Sequence, residues 1–346
     1  MEQKEYLSAL SACAAPSGRE GAAVQLAAEL LRPLTDEVTV DRFGNVIGLR
    51  RCGKPNAKRV VLDAHLDEVG MVTTGAKEGF LSFRLVGGVD PRMLPNREVT
   101  ILTQPPRFGL IAVLPPHVQK PGAANKSIPV EDLYIDAGLT QEEARQLTGT
   151  FVVPRGPFRS LLNQRVTGKA MDDRAGFVTL LRTLELLREV PLDVDLYVMG
   201  SSREEVNGGG ALVGAFALAP HCFVAVDVTH GRTPDGPKED TFPLGEGTVI
   251  GIGPNITRWM QERLIQKAEA QQIPWSPEVM TGHSGTNAWR VQTAREGIAT
   301  AVVSLPLRYM HSPVETLDQN DLEQTAKLLA AFVTDLAQEG GEFLAD

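Results

Sequence analysis

The chain has 346 residues, 42% of them hydrophobic, which is enough to bury a substantial core in one large domain or two. A formal net charge of -9 and the lack of any basic block argue against nucleic acid and anionic membrane surfaces as partners, since both demand clustered Lys and Arg. The amino end shows no signal-peptide succession of charged and apolar residues, and no apolar run approaches the roughly 20 residues that span a bilayer, so a soluble, cytoplasmic protein is expected.

Apolar positions at helical spacing predict helices over 5–14 and 19–33, the second opened by a capping box of Ser17 and Glu20. EVTVDRFGNVIGLRR alternates about Gly44 and Asn45 as a hairpin does, and RVVLDAH reads as a buried central strand. Cys13, Cys52 and Cys222 are odd in number and far apart, which suits reduced, packed thiols better than disulfides or paired zinc ligands. From about residue 74 to 166 the chain turns to short β segments rich in Gly and Pro, with one helical patch at 140–147, as an inserted β domain would. Beyond it, helices near 173–189, 209–218, 257–271 and 318–338 alternate with strands at 194–200, 222–228, 247–252 and 298–304. That alternation signals a layered α/β sheet. The expected organisation is therefore an α/β domain made of 1–73 and 167–346, interrupted by a smaller β domain over 74–166.

Candidate chemistry sits directly after the strand-like runs, where open α/β sheets build their sites. In AHLDEVG, His65 follows such a run and Asp67 stands close enough to accept from its second ring nitrogen, although His-x-Asp alone more often marks a structural or surface histidine. In GKAMDDRAG, Asp172 and Asp173 precede a helix; an N-cap role suits Asp173, whereas Asp172 is the better ligand, able to bridge cations about 3.5 to 4 Å apart. Glu204 and Glu205 follow an apolar strand, and in an extended segment they point in opposite directions, one as ligand and the other facing water as a base. Asp227 ends the apolar strand of FVAVDVTHG, where an ionised carboxylate needs a partner or a metal; His230 beyond it is ambiguous. His311 lies in the Pro-punctuated loop of LPLRYMHSPVET, a setting in which a lone histidine is usually surface polarity. His117 and His221 suit local roles, and His283 in TGHSGTNA is a candidate for substrate contact. The set offers imidazole and carboxylate without thiolate, which fits catalytic zinc, cobalt or manganese better than a closed structural site.

Taken in order, AHLDEVG, GGVDPRMLP, GKAMDDRAG, the Glu204-Glu205 pair, AVDVT and RYMHSPVE, with PPHV and EDLYIDAG between them, resemble the glutamyl aminopeptidase and tetrahedral aminopeptidase family of dinuclear metallopeptidases. Some of its members are labelled endoglucanases. The resemblance runs through nearly the whole chain, and it implies that His65 and Asp227 serve one divalent ion, Glu205 and His311 a second, and Asp172 bridges them. It further implies that Glu204 is the general base toward a metal-bridging water and that Asp67 orients His65. The implied fold is an α/β/α sandwich peptidase domain with an inserted β-barrel-like dimerisation domain, assembled into homo-oligomers as dimers or as dodecamers built from them. The implied reaction removes N-terminal residues from short peptides with a free amino end, using zinc first, with cobalt or manganese as alternatives.

Two places depart from the family pattern: Val206-Asn207-Gly208-Gly209-Gly210 stands where Val-Gly-x-Arg-Gly is common, and Asn287 stands where Gly-Thr-Asp-Ala has its acid. Arg258 in GPNITRWM suits either a pocket for acidic side chains or plain solvent exposure. Two other readings compete with peptidase action: hydrolysis of another small amide or glycan, and a catalytically silent assembly protein. Glycosidase chemistry needs a carboxylate pair but no dinuclear metal, and a silent relative would be expected to have lost a ligand or the base.

Overall fold

The computed structural model describes residues 3–118 and 128–338. The apolar run Val60, Val61 and Leu62 forms the strand Lys58–His65 in the middle of an eight-stranded mixed sheet. Val194–Ser201 on one side and Cys222–His230 on the other run parallel to it, and Ala299–Leu307 extends the parallel set. From edge to edge the order is Glu37–Val40, Val46–Arg50, Val194–Ser201, Lys58–His65, Cys222–His230, Ala299–Leu307, Thr248–Ile252 and Trp275–Val279.

These central strands are apolar without alternation because both of their faces are covered. Val60, Leu62 and Ala64 point into a core built with the helices Gln3–Ala12, Gly21–Leu31, Met171–Leu187, Arg258–Ala270 and Gln319–Gln338. Val61 points the other way, toward Ala211 and Ala215 of Gly209–Leu218 and Ala288 and Val291 of Ala288–Val291. The two-residue period of a strand therefore splits one run between two helix layers, which makes the α/β/α sandwich.

The strands Gly70–Lys77, Phe80–Val86, Tyr134–Asp136, Arg107–Ala112, Arg97–Ile101 and Phe151–Pro154 close into a barrel. All its pairings are antiparallel, and Met71, Leu81, Phe83, Val99, Ile101, Ile111, Ile135 and Val152 fill its interior. Closure leaves the short strands without open edges. The helical patch is Gln141–Gln146, and Thr140 and Glu143 cap it reciprocally.

The capping box expected at Ser17 does not form. Glu20 occupies the N-cap position without a side-chain cap, and the Ser17 hydroxyl donates to Asp67 Oδ2 at 2.5 Å. The cause lies in the backbone: Pro16 bridges to Glu68 and Ser17 N donates to the Glu68 carbonyl, which turns the serine toward the strand end at His65. Two further elements carry no clear signal in the sequence. Trp275–Val279 contains Pro277, which a sheet tolerates at its edge. A small antiparallel sheet of Arg159–Ser160, Arg165–Gly168 and Glu315–Asp318 joins the exit of the barrel to the segment after His311. All three cysteines are free thiols, and no helix among the described residues is long and apolar enough to cross a membrane.

Candidate metal centre

The centre forms where the parallel strands end at their carboxyl termini, as open α/β sheets arrange it. His65 closes its strand opposite Ser201, and the register pairing Ala225 with Asp63 carries Asp227 level with His65. Asp172 and His311 arrive on irregular backbone instead: Asp172 stands at the entry of Met171–Leu187, where its φ of -75° and ψ of 107° are not helical, and His311 follows Ala299–Leu307 in a loop with φ 61°. Asp172 follows Arg165–Gly168 and His311 precedes Glu315–Asp318, and those strands pair with Gly168 opposite Glu315, so the small sheet brings both segments to one place.

Glu204 and Glu205 are not in extended backbone. Arg203 adopts φ 59°, and the pair opens the short helix Glu204–Asn207, so strand alternation does not separate their roles. The Asp67 carboxylate causes this turn: it accepts from Glu204 N at 3.0 Å and Glu205 N at 3.2 Å, satisfying the free amides of a helix start. Asp67 also meets the His65 ring, whose Nδ1 lies 3.2 Å from the Asp67 carbonyl and 3.5 Å from its Oδ1. A fully buried acid thus ties the histidine to the glutamate pair. Glu68, next in sequence, forms ion pairs with Lys169 at 2.7 Å and Arg174 at 3.1 Å, fastening the same loop to the segment that carries Asp172.

Asp172 stands between two imidazoles. His65 Nε2 lies 3.0 Å from its Oδ1, and His311 Nε2 lies 3.3 Å from its Oδ2 and 3.2 Å from Glu205 Oε2. His311 is oriented by Gly88, whose carbonyl lies 2.9 Å from Nδ1; a Cβ on Gly88 would stand 2.9 Å from the ring, so the close approach requires glycine. His65, Asp172, Glu204, Glu205, Asp227 and His311 all line one cavity, with His230 at its rim. His283 stays outside, with its ring 4.7 Å from that of Trp289 and its Nδ1 accepting from Gly285 N. Arg258 projects from the start of its helix with 78% of its side chain exposed, paired to Glu262.

Donor atoms within 4.8 Å of one another form two groups fit for a cation: His65, Asp172 and Glu205, and His65, Asp173 and Asp227. Asp173 is the unexpected member. Its Oδ1 accepts from Gly176 N at 3.1 Å, as a helix cap does, while its Oδ2 is buried without a hydrogen-bond partner among the described residues. Its neighbour Asp172 was the only signal of this second role.

Charge is unbalanced in the cavity. Burial pushes Glu204 up to about 8, with Glu205, Asp172 and Asp67 adding repulsion against the pull of His65. Burial likewise raises Glu205, and it raises Asp173 and Asp227 well above the usual carboxylate range. Asp172 is the exception: burial opposes its charge, but the hydrogen bonds from His311 and His65 hold it far below that range. The same contacts lift His311 to about 11 against its own burial. Acids outnumber the two histidines, and a divalent cation is the group that such a set of oxygen and nitrogen donors fits.

Two other acids escaped the sequence. Glu315 accepts from Met171 N at 2.6 Å, Asp172 N at 3.2 Å and His311 N at 2.8 Å, so one buried carboxylate fixes the backbone of both ligand-bearing segments. An acid four residues after His311 was its only sign. Glu278, in the unforeseen edge strand, accepts from Thr229 Oγ1 at 2.5 Å and Ser304 Oγ at 3.3 Å.

The departures have local reasons. Asn287 Nδ2 donates to Asp63 Oδ2 at 2.7 Å and Ser201 Oγ at 2.9 Å, a role an ionised acid could not fill beside Asp63, which burial raises to about 7. In the glycine run, a Cβ on Gly210 would stand 2.1 Å from the Ser202 carbonyl oxygen.

Residues 44–328 match the M42 glutamyl aminopeptidase family. The chain is 33% identical over 318 residues to the lysyl aminopeptidase of Pyrococcus furiosus, covering 90% of each. Its structure superposes on an aminopeptidase from the archaeon Desulfurococcus kamchatkensis with a TM-score of 0.91 and 32% identity, covering 99% of this chain and 98% of that one. A second structural relative is the TET1 peptidase of Pyrococcus horikoshii, described as assembling into a tetrahedron or a large octahedral shell; it gives a TM-score of 0.84 at 30% identity, over 96% and 99% of the two chains. The fold, the gathered donors and these likenesses agree, and the chain belongs to the M42 glutamyl aminopeptidase family of metal-dependent peptidases.

Proposed function

We propose that the protein is a dinuclear metallo-aminopeptidase acting on short peptides with a free amino end. In this reading His65 and Asp227 would hold one divalent ion and Glu205 and His311 the other, with Asp172 shared by the two sets. The observation that carries it is the division of the Asp172 carboxylate, one oxygen at His65 and the other at His311. The buried, unpartnered oxygen of Asp173 beside His65 and Asp227 supports a cation on that side. Zinc is the proposed ion, with cobalt and manganese as alternatives of similar ligand preference.

Bound ions would supply Lewis acidity toward the peptide carbonyl and lower the pKa of water. The chain's own part in proton transfer falls to Glu204. It lines the cavity, belongs to neither donor group, and its proton affinity is raised by burial, so it can take a proton from attacking water and return it to the leaving amine. Asp67 acts through others, holding the amides of Glu204 and Glu205 and the ring of His65 in place.

The same proposal takes 1–73 and 167–346 as the catalytic domain and 74–166 as an inserted domain that mediates assembly into dimers or dodecamers. The closed barrel and the shell-forming relative support it. A cytoplasmic setting is also proposed, supported by three free thiols.

The test is release of amino acids from matched free and N-acetylated peptides by metal-stripped protein, with zinc, cobalt or manganese added back and bound metal counted. Cleavage of only the unblocked peptides, saturating at two ions per chain, is expected. Equal cleavage of acetylated peptides, or full activity with one ion, would overturn the assignment.

A further inference from the structure

The cavity, about 250 Å³, does not end at the metal donors. One of its walls carries Glu278, from the edge strand Trp275–Val279. The acid is held at a set distance from the centre, because its two hydroxyl partners stand on the strands that position Asp227. Thr229 lies two residues beyond Asp227 on the same strand, and Ser304 is the register partner of Asp227 on the next.

Glu278 is half-buried, and its two hydroxyl donors are fewer than a carboxylate can accept. No ion pair among the described residues involves Glu278; burial raises its proton affinity above the usual carboxylate range, and the Thr229 and Ser304 hydroxyls pull it back down. The wall therefore presents a carboxylate with acceptor capacity left over, and a cation brought beside it would favour its ionised form. Val228, Met280 and Met310 line the same space and offer an apolar path for a methylene stem. A peptide whose first carbonyl lies at the metal centre has its first side chain as the group nearest this wall. An acidic side chain would meet another carboxylate there, and Arg258, the residue that could have favoured one, is solvent-exposed and not among the lining residues.

We propose that Glu278 selects a cationic first residue, making lysine and arginine the preferred amino-terminal side chains. This rests on the aminopeptidase reading above. The stem of a lysine would run past the methionines to an ammonium at the carboxylate, leaving the Thr229 and Ser304 hydroxyls in place.

The experiment compares kcat/KM for lysyl, arginyl, norleucyl and glutamyl p-nitroanilides in zinc-loaded wild type and Glu278→Gln, with calorimetric binding of free L-lysine and L-norleucine to both proteins. Norleucine keeps the stem and lacks the charge. Lysyl substrate should exceed norleucyl in the wild type, and Glu278→Gln should lose roughly 10- to 100-fold on lysyl and arginyl substrates, with norleucyl moving less than about threefold, as loss of a charged hydrogen-bonded partner implies. L-lysine should bind the wild type and lose affinity to the same degree in the variant. A uniform loss on all substrates would make Glu278 structural, and a wild-type preference for norleucyl or glutamyl substrate would overturn the proposal. If no substrate is turned over, the aminopeptidase reading fails, and the lysine titration still decides Glu278: equal binding of lysine and norleucine rejects it.

Discussion

His65 and Asp227 stand on neighbouring parallel strands, whereas Asp172 and His311 stand on irregular, loop-like backbone, and the two pairs are held by different means. The strand pair inherits its spacing from sheet register and from a core packed on both faces. The loop pair depends on a few polar anchors: Glu315 under both backbones, the Gly88 carbonyl at His311, and Glu68 between Lys169 and Arg174. The contrast teaches that a site can be rigid on one side through bulk packing and rigid on the other only through individually replaceable contacts.

The largest effect should come from the group that belongs to neither pair. Glu204→Gln keeps the shape and removes the proton acceptor, so turnover should fall roughly 100- to 10,000-fold with both ions retained. Loss of metal together with activity would show that Glu204 is a ligand and redraw the two sides.

Glu315→Gln attacks the loop pair. An amide nitrogen placed against backbone N–H donors removes an acceptor, and zinc affinity, read by competition with a chelator, should fall roughly 10- to 100-fold. The matching change on the strand pair is Leu62→Ala. It should cost about 2 to 5 kcal/mol of stability in a denaturant titration, while the protein that remains folded binds zinc as before. If Leu62→Ala weakens zinc as much as Glu315→Gln does, the contrast between the two sides is wrong. Gly88→Ala should give a smaller loss of zinc affinity, about tenfold or less, by pressing on the His311 ring.

The smallest effect is a pH slope. Glu204, raised to about 8, and the remote Asp321, raised to about 7, keep their protons in the folded protein after the unfolded chain has lost them near pH 4. Folded protein then binds more protons, so stability falls as pH rises from about 4, and the loss is complete above the folded values. Metal-free protein should therefore melt lower at pH 8.5 than at pH 5.5. Adding zinc should flatten the part due to the centre and leave the part due to Asp321. A melting temperature that rises with pH in the stripped protein would contradict both assignments.

Much of this was legible in the sequence because its physics is local. The run Val60, Val61, Leu62 ending in His65, and the strand Cys222–His230 that carries Asp227, declare themselves by burial of both strand faces, and six of the seven expected site residues line one cavity with Asp67 beneath it. Other features were hidden for stated reasons. Ser17 and Glu20 satisfy a capping pattern, yet a bridge from Pro16 to Glu68 redirects the serine, and only tertiary contact reveals that. Glu204 and Glu205 follow a strand, yet the carboxylate of Asp67, more than a hundred residues earlier, turns them into a helix start. Glu315 and Glu278 look like ordinary acids because what distinguishes them, backbone amides in one case and two hydroxyls in the other, comes from distant segments.

The tether from the Gly88 carbonyl to His311 has a consequence for modularity. Gly88 follows the barrel strand Phe80–Val86, while His311 follows the last strand of the central sheet, Ala299–Leu307. The insertion is therefore not an accessory that could be trimmed away to leave a minimal enzyme: its backbone supplies an orienting contact for one of the proposed ligands. A shortened version would have to replace that one carbonyl, and grafting the insertion onto another sandwich would carry across part of the proposed metal site.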